Sequence, residues 1–188
     1  MAIVSDETAG WEMEIKGVII MRIEEIMKKM IDLADGSHHD INHFMKVHSF
    51  ARTIGLMEGL DDKTQYILEA SAIVHDIACP LCREKYGSTA GNLQEAESEP
   101  LLREFFMGTD LPEAQLERII YIVTHHHTYS GADGPDYQIL LEADFLVNAD
   151  ESERYRKSIE QFRKNVFRTT SGLALLDSVF REELRGKV

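Results

Sequence analysis

The pair His75-Asp76 lies near the end of an apolar stretch, residues 70–77. An imidazole and a carboxylate among hydrophobic residues are costly to bury unless a partner satisfies both of them. A divalent metal ion does so directly, through an imidazole nitrogen and a carboxylate oxygen. An isolated His-Asp pair is more often structural, with the carboxylate in solvent and the imidazole hydrogen-bonded in the core. The pair therefore predicts a metal site only if further ligands occur elsewhere in the chain.

Two further residues of ligand type lie in apolar helical stretches. His43 shares one predicted helix face with Val47 and Ala51, and Asp144 lies in a later apolar stretch. Imidazoles and carboxylates on different helices can converge in the core of a helical bundle. His48 competes with His43 for the first position. It lies about 140° further round the helix, so that both cannot easily face one site.

The order of these four residues resembles the HD-domain superfamily of metal-dependent phosphohydrolases. That family has a His on one helix, a His-Asp pair at the end of a later helix, and a distant Asp. These positions fall here on His43, His75, Asp76 and Asp144, and the family spacing favours His43 over His48. The resemblance covers roughly residues 40–149, which is more than half of the chain.

The resemblance implies a fold and an activity. Residues 37–188 would form the metal-binding helical domain, and residues 1–36 would be a helical extension packed on its core. The activity would be hydrolysis of a phosphomonoester or phosphodiester, in a nucleotide or another small phosphorylated substrate, by metal-activated water. Two imidazoles and two carboxylates suit Mn, Fe, Co, Ni or Mg, and do not choose among them.

A second cluster of ligand type is the run His125-His126-His127, which follows an isoleucine-rich stretch. In relatives with two metal ions, histidines at this place add ligands or contact the phosphate. The resemblance assigns that role to His125 and His126, with Asp76 bridging the two ions. The alternative is structural, with one of the three rings buried and the other two in solvent.

Charged residues between the two clusters complete the predicted site. Glu97 is expected as a ligand or a proton donor, because relatives often place a further His in this interval and none occurs here. Arg83 and Lys85 follow the metal pair and could hold a phosphate. As alternatives, Glu97 belongs to a solvated acidic face and the two cations are ordinary surface charges.

The sequence lacks two motifs that are typical of particular HD-domain subfamilies, which disfavours the activities of those subfamilies. Residues 134–136 are Gly-Pro-Asp, so the Gly-Tyr-Pro element of cyclic-di-nucleotide phosphodiesterases is absent; the Glu-Asp pair of alarmone hydrolases is also missing after Asp76. Two alternatives stay open: a di-iron oxygenase, which the extra histidines favour, and a nucleotide-binding regulatory module without turnover. Cys79 and Cys82 have redox-motif spacing, but the βαβ context of a thioredoxin-like site is not predicted.

Composition limits the partners. The chain of 188 residues has 44% hydrophobic and 28% charged residues and a net charge of −13. This charge disfavours an extended surface for a nucleic-acid polymer or an anionic membrane, which would need clustered Lys and Arg. Two cysteines form no disulfide framework, and the first residues lack a signal-peptide pattern. We therefore expect a cytoplasmic, non-membrane protein.

Helical periodicity dominates the chain, and the fold class predicted is all-α, a compact bundle of about eight helices. Asp40 and Asp61 or Asp62 are suitable N-caps, and Gly36 is a suitable left-handed end. The first apolar helix would cover the core or form a homodimer contact. The predicted helices are residues 18–33, 40–55, 61 or 62 toward Pro80, 93–107, 113–127, 136–149, 151–164 and 172–184, with loops at 81–91 and 128–135.

Overall fold

The computed structural model describes residues 21–185, and every regular element in that range is a helix. The prediction of an all-α bundle is confirmed. Within the described range the number of helical segments is eleven, more than the eight expected. They are, in chain order, α1 (Ile23–Leu33), α2 (His38–Glu58), α3 (Asp62–Val74), α4 (Cys79–Tyr86), α5 (Gly91–Phe106), α6 (Glu113–Val123), α7 (Pro135–Glu151), α8 (Glu153–Arg156), α9 (Ile159–Asn165), α10 (Thr170–Val179) and α11 (Arg181–Arg185).

The centre of the bundle is formed by α2, α3 and α7, which make the most extensive contacts with one another. The second half of α3 and nearly all of α7 are buried on every side. A helix that is apolar all round is stable only when other helices cover it completely. These three helices carry His43, the segment leading to His75, and Asp144, so the predicted ligands lie on the most extensively packed helices of the described fold.

The apolar face of α1 contributes to this core. Ile26 and Met30 are buried, and α1 packs against α3. The described part of α1 therefore covers the core of its own chain. The start of the predicted helix, residues 18–20, lies outside the described residues, as does most of the proposed N-terminal extension.

The helix ends have local causes. Asp61 caps α3 as predicted, accepting hydrogen bonds from the backbone N–H groups of Lys63 and Thr64. The cap of α2 is Ser37 and not Asp40, whose backbone N–H instead donates to the Ser37 hydroxyl at 3.4 Å. The prediction erred by one turn because both residues are good N-caps. The predicted left-handed glycine Gly36 has φ 79°, in the turn after α1.

The predicted loop 81–91 is wrong in its first half, which forms α4. Pro80 does not end α3, which stops at Val74. Instead it occupies the first turn of α4, where its missing N–H leaves no hydrogen bond unmade. Gly87, with φ 64°, provides the left-handed end. Pro80 and Gly87 therefore mark the start and the end of a short helix that overlaps the predicted loop.

Three other predicted helices differ in length. The helix expected at 113–127 ends at Val123, so that the three histidines lie in the turn after α6. The segments expected as single helices at 151–164 and 172–184 are each divided, into α8 and α9 and into α10 and α11. No helix in the described range, 21–185, is both long and apolar enough to cross a membrane.

Candidate metal centre

Three buried side chains from three helices meet at one point in the core. His43 comes from α2, His75 follows the last residue of α3, and Asp144 comes from α7; they are 7%, 0% and 4% exposed. The Nε2 atoms of His43 and His75 are 3.3 Å apart. Asp144 Oδ1 lies 3.3 Å from the first of these atoms and 3.6 Å from the second.

Asp76 joins this group through one carboxylate oxygen. Its Oδ2 lies 3.6 Å from Nε2 of His43 and 3.5 Å from Nε2 of His75. Ligand atoms about 2.1 Å from a tetrahedral metal ion are separated by roughly 3.4 Å. The measured separations of 3.3–3.6 Å, from each carboxylate to the two imidazoles and between the imidazoles, therefore match those of ligands on one ion. Asp76 is 26% exposed, so the group is accessible from solvent on that side.

The hydrogen bonds of the imidazoles fix which nitrogen carries the proton. Nδ1 of His75 lies 2.9 Å from the carbonyl oxygen of Ala72, and Nδ1 of His43 lies 2.9 Å from Oε2 of Glu151. A carbonyl or a carboxylate only accepts, so both Nδ1 atoms must be donors. In the neutral rings both Nε2 atoms then present lone pairs, which face each other and two carboxylates. Only a cation, either a metal ion or a proton, makes this arrangement favourable.

A second group of ligand type shares Asp76. Its other oxygen, Oδ1, lies 3.6 Å from Nε2 of His126. One atom each from Asp76, His126 and His127 lies within 4.8 Å of the other two. Nδ1 of His126 donates to the carbonyl oxygen of Val123 at 2.7 Å, which leaves its Nε2 as a lone pair. The Nε2 atoms of His126 and His127 are buried and have no hydrogen-bond partner. Such an orphaned polar atom is costly, and a second ion bound here would satisfy both.

The three consecutive histidines have different places. His126 and His127 lie at the second group, whereas His125 is exposed. The ring of His125 stacks on Tyr121 at 4.5 Å, and its Nδ1 donates to the Tyr121 carbonyl at 2.8 Å. Of the two residues predicted for the second site, the structure places His126 beside Asp76 and leaves His125 on the surface. It adds His127, which the sequence prediction did not select.

The electrostatics of the group follow from its carboxylates. Burial lowers the pKa of His43, but the hydrogen bond and charge of Asp144 and the charge of Asp76 outweigh it and raise that pKa to about 10. Burial likewise would raise the pKa of Asp76 and of Asp144, but the surrounding imidazoles hold both below their ordinary value. Without a metal ion the site therefore retains a proton on His43. Binding a divalent cation would displace it, so binding would release protons and weaken at low pH.

His127 differs from His43 in its titration. Burial, and next the charge of His126, lower the pKa of His127 to about 4. Its ring packs on the start of α5, where a Cβ atom at Gly91 would lie 2.6 Å from ring carbons. His127 is thus held as a neutral imidazole, which is the form that binds metal ions.

The acidic residue nearest the histidine turn is not the one predicted. Oε1 of Glu95 accepts from the backbone N–H of His127, at 3.3 Å, and from the Thr128 hydroxyl. The predicted residue Glu97 lies on the same helix but pairs with Lys85 and Tyr86, at 2.7 Å and 2.5 Å. The hydrogen bond from Lys85 lowers the pKa of Glu97, which opposes a role as proton donor. No hydrogen bond or ion pair found in residues 21–185 joins Glu97 to the metal-ligand groups.

Both cations that were predicted to bind phosphate form ion pairs with carboxylates. The guanidinium of Arg83 pairs with Asp40, and the ammonium of Lys85 pairs with Glu97. The backbone N–H of Cys79, in the first turn of the helix that carries Arg83, donates to the Asp76 carbonyl oxygen at 2.9 Å, which links this helix to the predicted ligands. A phosphate reaching Arg83 would have to compete with Asp40.

The cysteines of the redox-type spacing are buried free thiols in the first turn of α4. Burial, and next the charge of Asp76, raise the pKa of Cys79. Burial also raises the pKa of Cys82. Both thiols are thus held protonated, which makes them poor nucleophiles and poor metal ligands.

Fold and site together define an all-helical protein with two adjoining groups of metal-ligand type that share one carboxylate. Comparison of the chain with protein-family profiles, with curated proteins and with solved structures found no match. The resemblance to HD-domain phosphohydrolases therefore rests on the residues themselves.

Proposed function

We propose that this protein is a metal-dependent phosphohydrolase acting on a nucleotide or another small phosphoester. The observation that carries the proposal is the convergence of three imidazole lone pairs, from His43, His75 and His126, on the carboxylates of Asp76 and Asp144. Buried acceptors that face one another need a cation between them. In the metal-free chain the proton on His43 meets this need in part, and divalent cations would displace it.

The donor set fits one or two ions. His43, His75 and Asp144 would hold the first ion, joined by Asp76, whose Oδ2 lies within 3.6 Å of both imidazoles. Asp76, His126 and His127 would hold the second. These nitrogen and oxygen donors suit Mn, Fe, Co, Ni or Zn, and Mg less well, since four of the ligands are imidazoles. When bound, the ions would supply an activated water and would polarise a phosphoryl oxygen.

The role of the protein's own residues is to orient the ligands and admit the substrate. Glu151 fixes the ring of His43, the Ala72 carbonyl fixes that of His75, and Asn148 donates to Oδ1 of Asp144 at 2.8 Å. Such partners set the tautomer and raise the basicity of the ligand. Asp76, the exposed member, marks the side from which a phosphate group would approach. There Arg83 would exchange its contact with Asp40 for a phosphate oxygen, in the fork geometry that guanidinium provides.

The test is hydrolysis of a panel of nucleotides and general phosphoesters by the full chain, loaded in turn with Mn, Fe, Co, Ni, Zn and Mg. We expect turnover with at least one metal and a loss of roughly a thousandfold in Asp76→Ala, since one carboxylate is shared by both groups. Turnover unaffected by Asp76→Ala would contradict the proposal.

The histidine turn provides a matched pair of variants. His126→Ala removes a ligand of the second group, and His125→Ala removes a neighbour in sequence that stacks on Tyr121 instead. We expect His126→Ala to lower the bound metal per chain and the rate, with His125→Ala unchanged within about twofold. Equal losses in both would show that the turn acts as a unit and not through a ligand.

The shared Asp76 also favours the alternative of a di-iron oxygenase, because a bridging carboxylate is suited to two ions of one kind. Metal analysis of protein purified with and without oxygen separates the two functions. Two irons per chain with no phosphoester hydrolysis under any metal would replace the hydrolase proposal by the oxygenase. Tight nucleotide binding without turnover would replace it by a regulatory module.

A further inference from the structure

The positive charge of the chain is concentrated at its C-terminal end. Residues 152–188 contain nine Lys or Arg and five Asp or Glu, whereas residues 1–151 contain eleven and twenty-eight. The chain as a whole has a net charge of −13, so its last helices have the opposite sign to the rest. Such an uneven distribution of charge is a physical basis for selective binding of ligands of one charge sign, here anions.

A cavity of about 520 Å³ lies among α9, α10 and α11. Small-molecule sites have volumes of roughly 300–1,000 Å³, so this cavity is large enough for a compact ligand. Four cations and two carboxylates surround it. The charged residues that line the cavity are Glu160, Arg163, Lys164, Asp177, Arg181 and Arg185.

One carboxylate of the lining is already neutralised. Arg163 binds Asp177 through two parallel hydrogen bonds of 2.7 Å and 2.8 Å, a geometry that also joins α9 to α10. The ion pairs found within residues 21–185 include neither Lys164 nor Arg181. Arg185 has only a long, exposed contact of 4.0 Å with Glu182. Three cations around the cavity are therefore available to a ligand, and they repel one another until an anion enters.

We propose that this cavity binds a small molecule with several negative charges, of the oligophosphate or phosphate-ester class. Guanidinium groups recognise phosphate oxygens in a planar fork, and an ammonium adds a point charge. A nucleic-acid polymer or an anionic membrane is disfavoured, because the cations surround a cavity and the rest of the chain is acidic. The site is separate from the metal centre, and its existence does not depend on the proposed hydrolase activity.

The test is isothermal titration of the full chain, freed of metal, with inorganic tripolyphosphate at low salt. The double variant Lys164→Glu with Arg181→Glu reverses two cations of the cavity. The control, Lys63→Glu with Arg154→Glu, makes the same change of net charge at two exposed residues outside the cavity. We expect the cavity variant to weaken binding by roughly tenfold or more and the control to change it by less than about twofold.

Further measurements keep the proposal open to contradiction. Lys164→Gln with Arg181→Gln replaces the reversal variant if the latter loses its helical circular dichroism, and we expect the same direction of effect. The proposal is overturned if the unaltered chain does not bind tripolyphosphate, or if both charge pairs weaken binding equally. Tighter binding of a short RNA or of anionic vesicles than of tripolyphosphate would likewise replace it by an extended surface.

Discussion

Two histidine–carboxylate clusters both include residues of α2 and of α3 or the turn after it, and they differ in how their charges are satisfied. The first is the metal-ligand cluster around His43 and His75. The second, which we call the Glu69 network, joins Glu69 of α3 to His48 and Arg52 of α2. His43 and His48 are five residues apart on one helix, yet each belongs to a different cluster.

The Glu69 network is closed. Oε2 of Glu69 lies 2.9 Å from Nε2 of His48, and Oε1 accepts from Arg52 at 2.7 Å and from Gln65 at 2.8 Å. Each carboxylate oxygen faces a donor, so the buried charge has its partners within the protein. In the metal-ligand cluster the donors point outward, to Glu151 and to Ala72, and acceptors point inward. Residue types alone therefore do not distinguish a structural network from a candidate metal site, whereas the direction of the hydrogen bonds does.

The largest expected difference between the clusters is in activity. Asp76→Ala should reduce metal-dependent hydrolysis by on the order of a thousandfold, since it removes a ligand from both groups. Glu69→Gln should leave the rate constant within about twofold, because the Glu69 network contacts no predicted ligand. Steady-state kinetics with the preferred metal measures both. A comparable loss in Glu69→Gln would mean that the two clusters are not functionally separate.

The next effect concerns the orientation of His43. Glu151→Gln keeps the size of the side chain but weakens the charged hydrogen bond to Nδ1, and we expect metal affinity to fall by roughly 10- to 100-fold. Asp150→Asn is the matched control, because Asp150 and Glu151 both pair with Lys46 but only Glu151 contacts His43. Metal titration followed by calorimetry compares the two. Equal affinities would show that Glu151 serves only its pair with Lys46.

The third expected effect concerns stability, and here the larger change comes from the Glu69 network. Glu69→Gln places an amide opposite donors from His48, Arg52 and Gln65, and we expect it to lower the free energy of unfolding by about 2 kcal/mol. Arg52 is 54% exposed, which keeps this figure below that of a fully buried pair. Urea unfolding of the metal-free chains measures the difference. An unchanged midpoint would mean that the network contributes specificity and no stability.

The smallest effect is the pH dependence of that stability difference. Burial alone would raise the pKa of Glu69, but the hydrogen bonds of His48 and Gln65 and the charge of Arg52 outweigh it, so the pKa lies below the ordinary 4.5. A lowered carboxyl pKa contributes stability that is fully present above pH 4.5 and is lost as the pH falls through the folded value. The gap between the parent chain and Glu69→Gln should therefore be constant from neutral pH to about pH 5 and shrink below it. A gap that widened in acid would contradict this sign.

The sequence predicted the helical class and the first group of ligands for identifiable reasons. His43, His75, Asp76 and Asp144 stand out because polar residues interrupt apolar helical stretches, and the order of the four resembles a known family. The choice of His43 over His48 rested on the family spacing; the structure places His43 beside His75 and Asp144, and His48 beside Glu69. The Glu69 network was not predicted, because the sequence gives no sign that a glutamate on α3 meets a histidine on α2.

The second group, at the histidine turn, could not be assigned from the sequence pattern. Helical periodicity assigns faces only while the helix continues, and α6 ends at Val123, before the three histidines. In the turn that follows, each ring takes its direction from tertiary contacts, such as the stacking of His125 on Tyr121. For a related reason Glu95, and not the predicted Glu97, contacts the histidine turn. Which acid of α5 lies beside the histidine turn depends on the rotation of that helix, which its weak apolar pattern does not fix.

The close packing of His127 on Gly91 has a consequence for how substitutions will be tolerated. Gly87 and Gly91 are both near the ends of helices, but Gly87 has φ 64° with open space around it, whereas Gly91 is limited by the ring of His127. In a saturation library selected for function, asparagine should be accepted at 87, because it tolerates the left-handed region. At 91 even alanine should be depleted, since the added methyl group would push the ring of His127 out of position. A residue without a side chain would then be as sensitive as the histidines themselves.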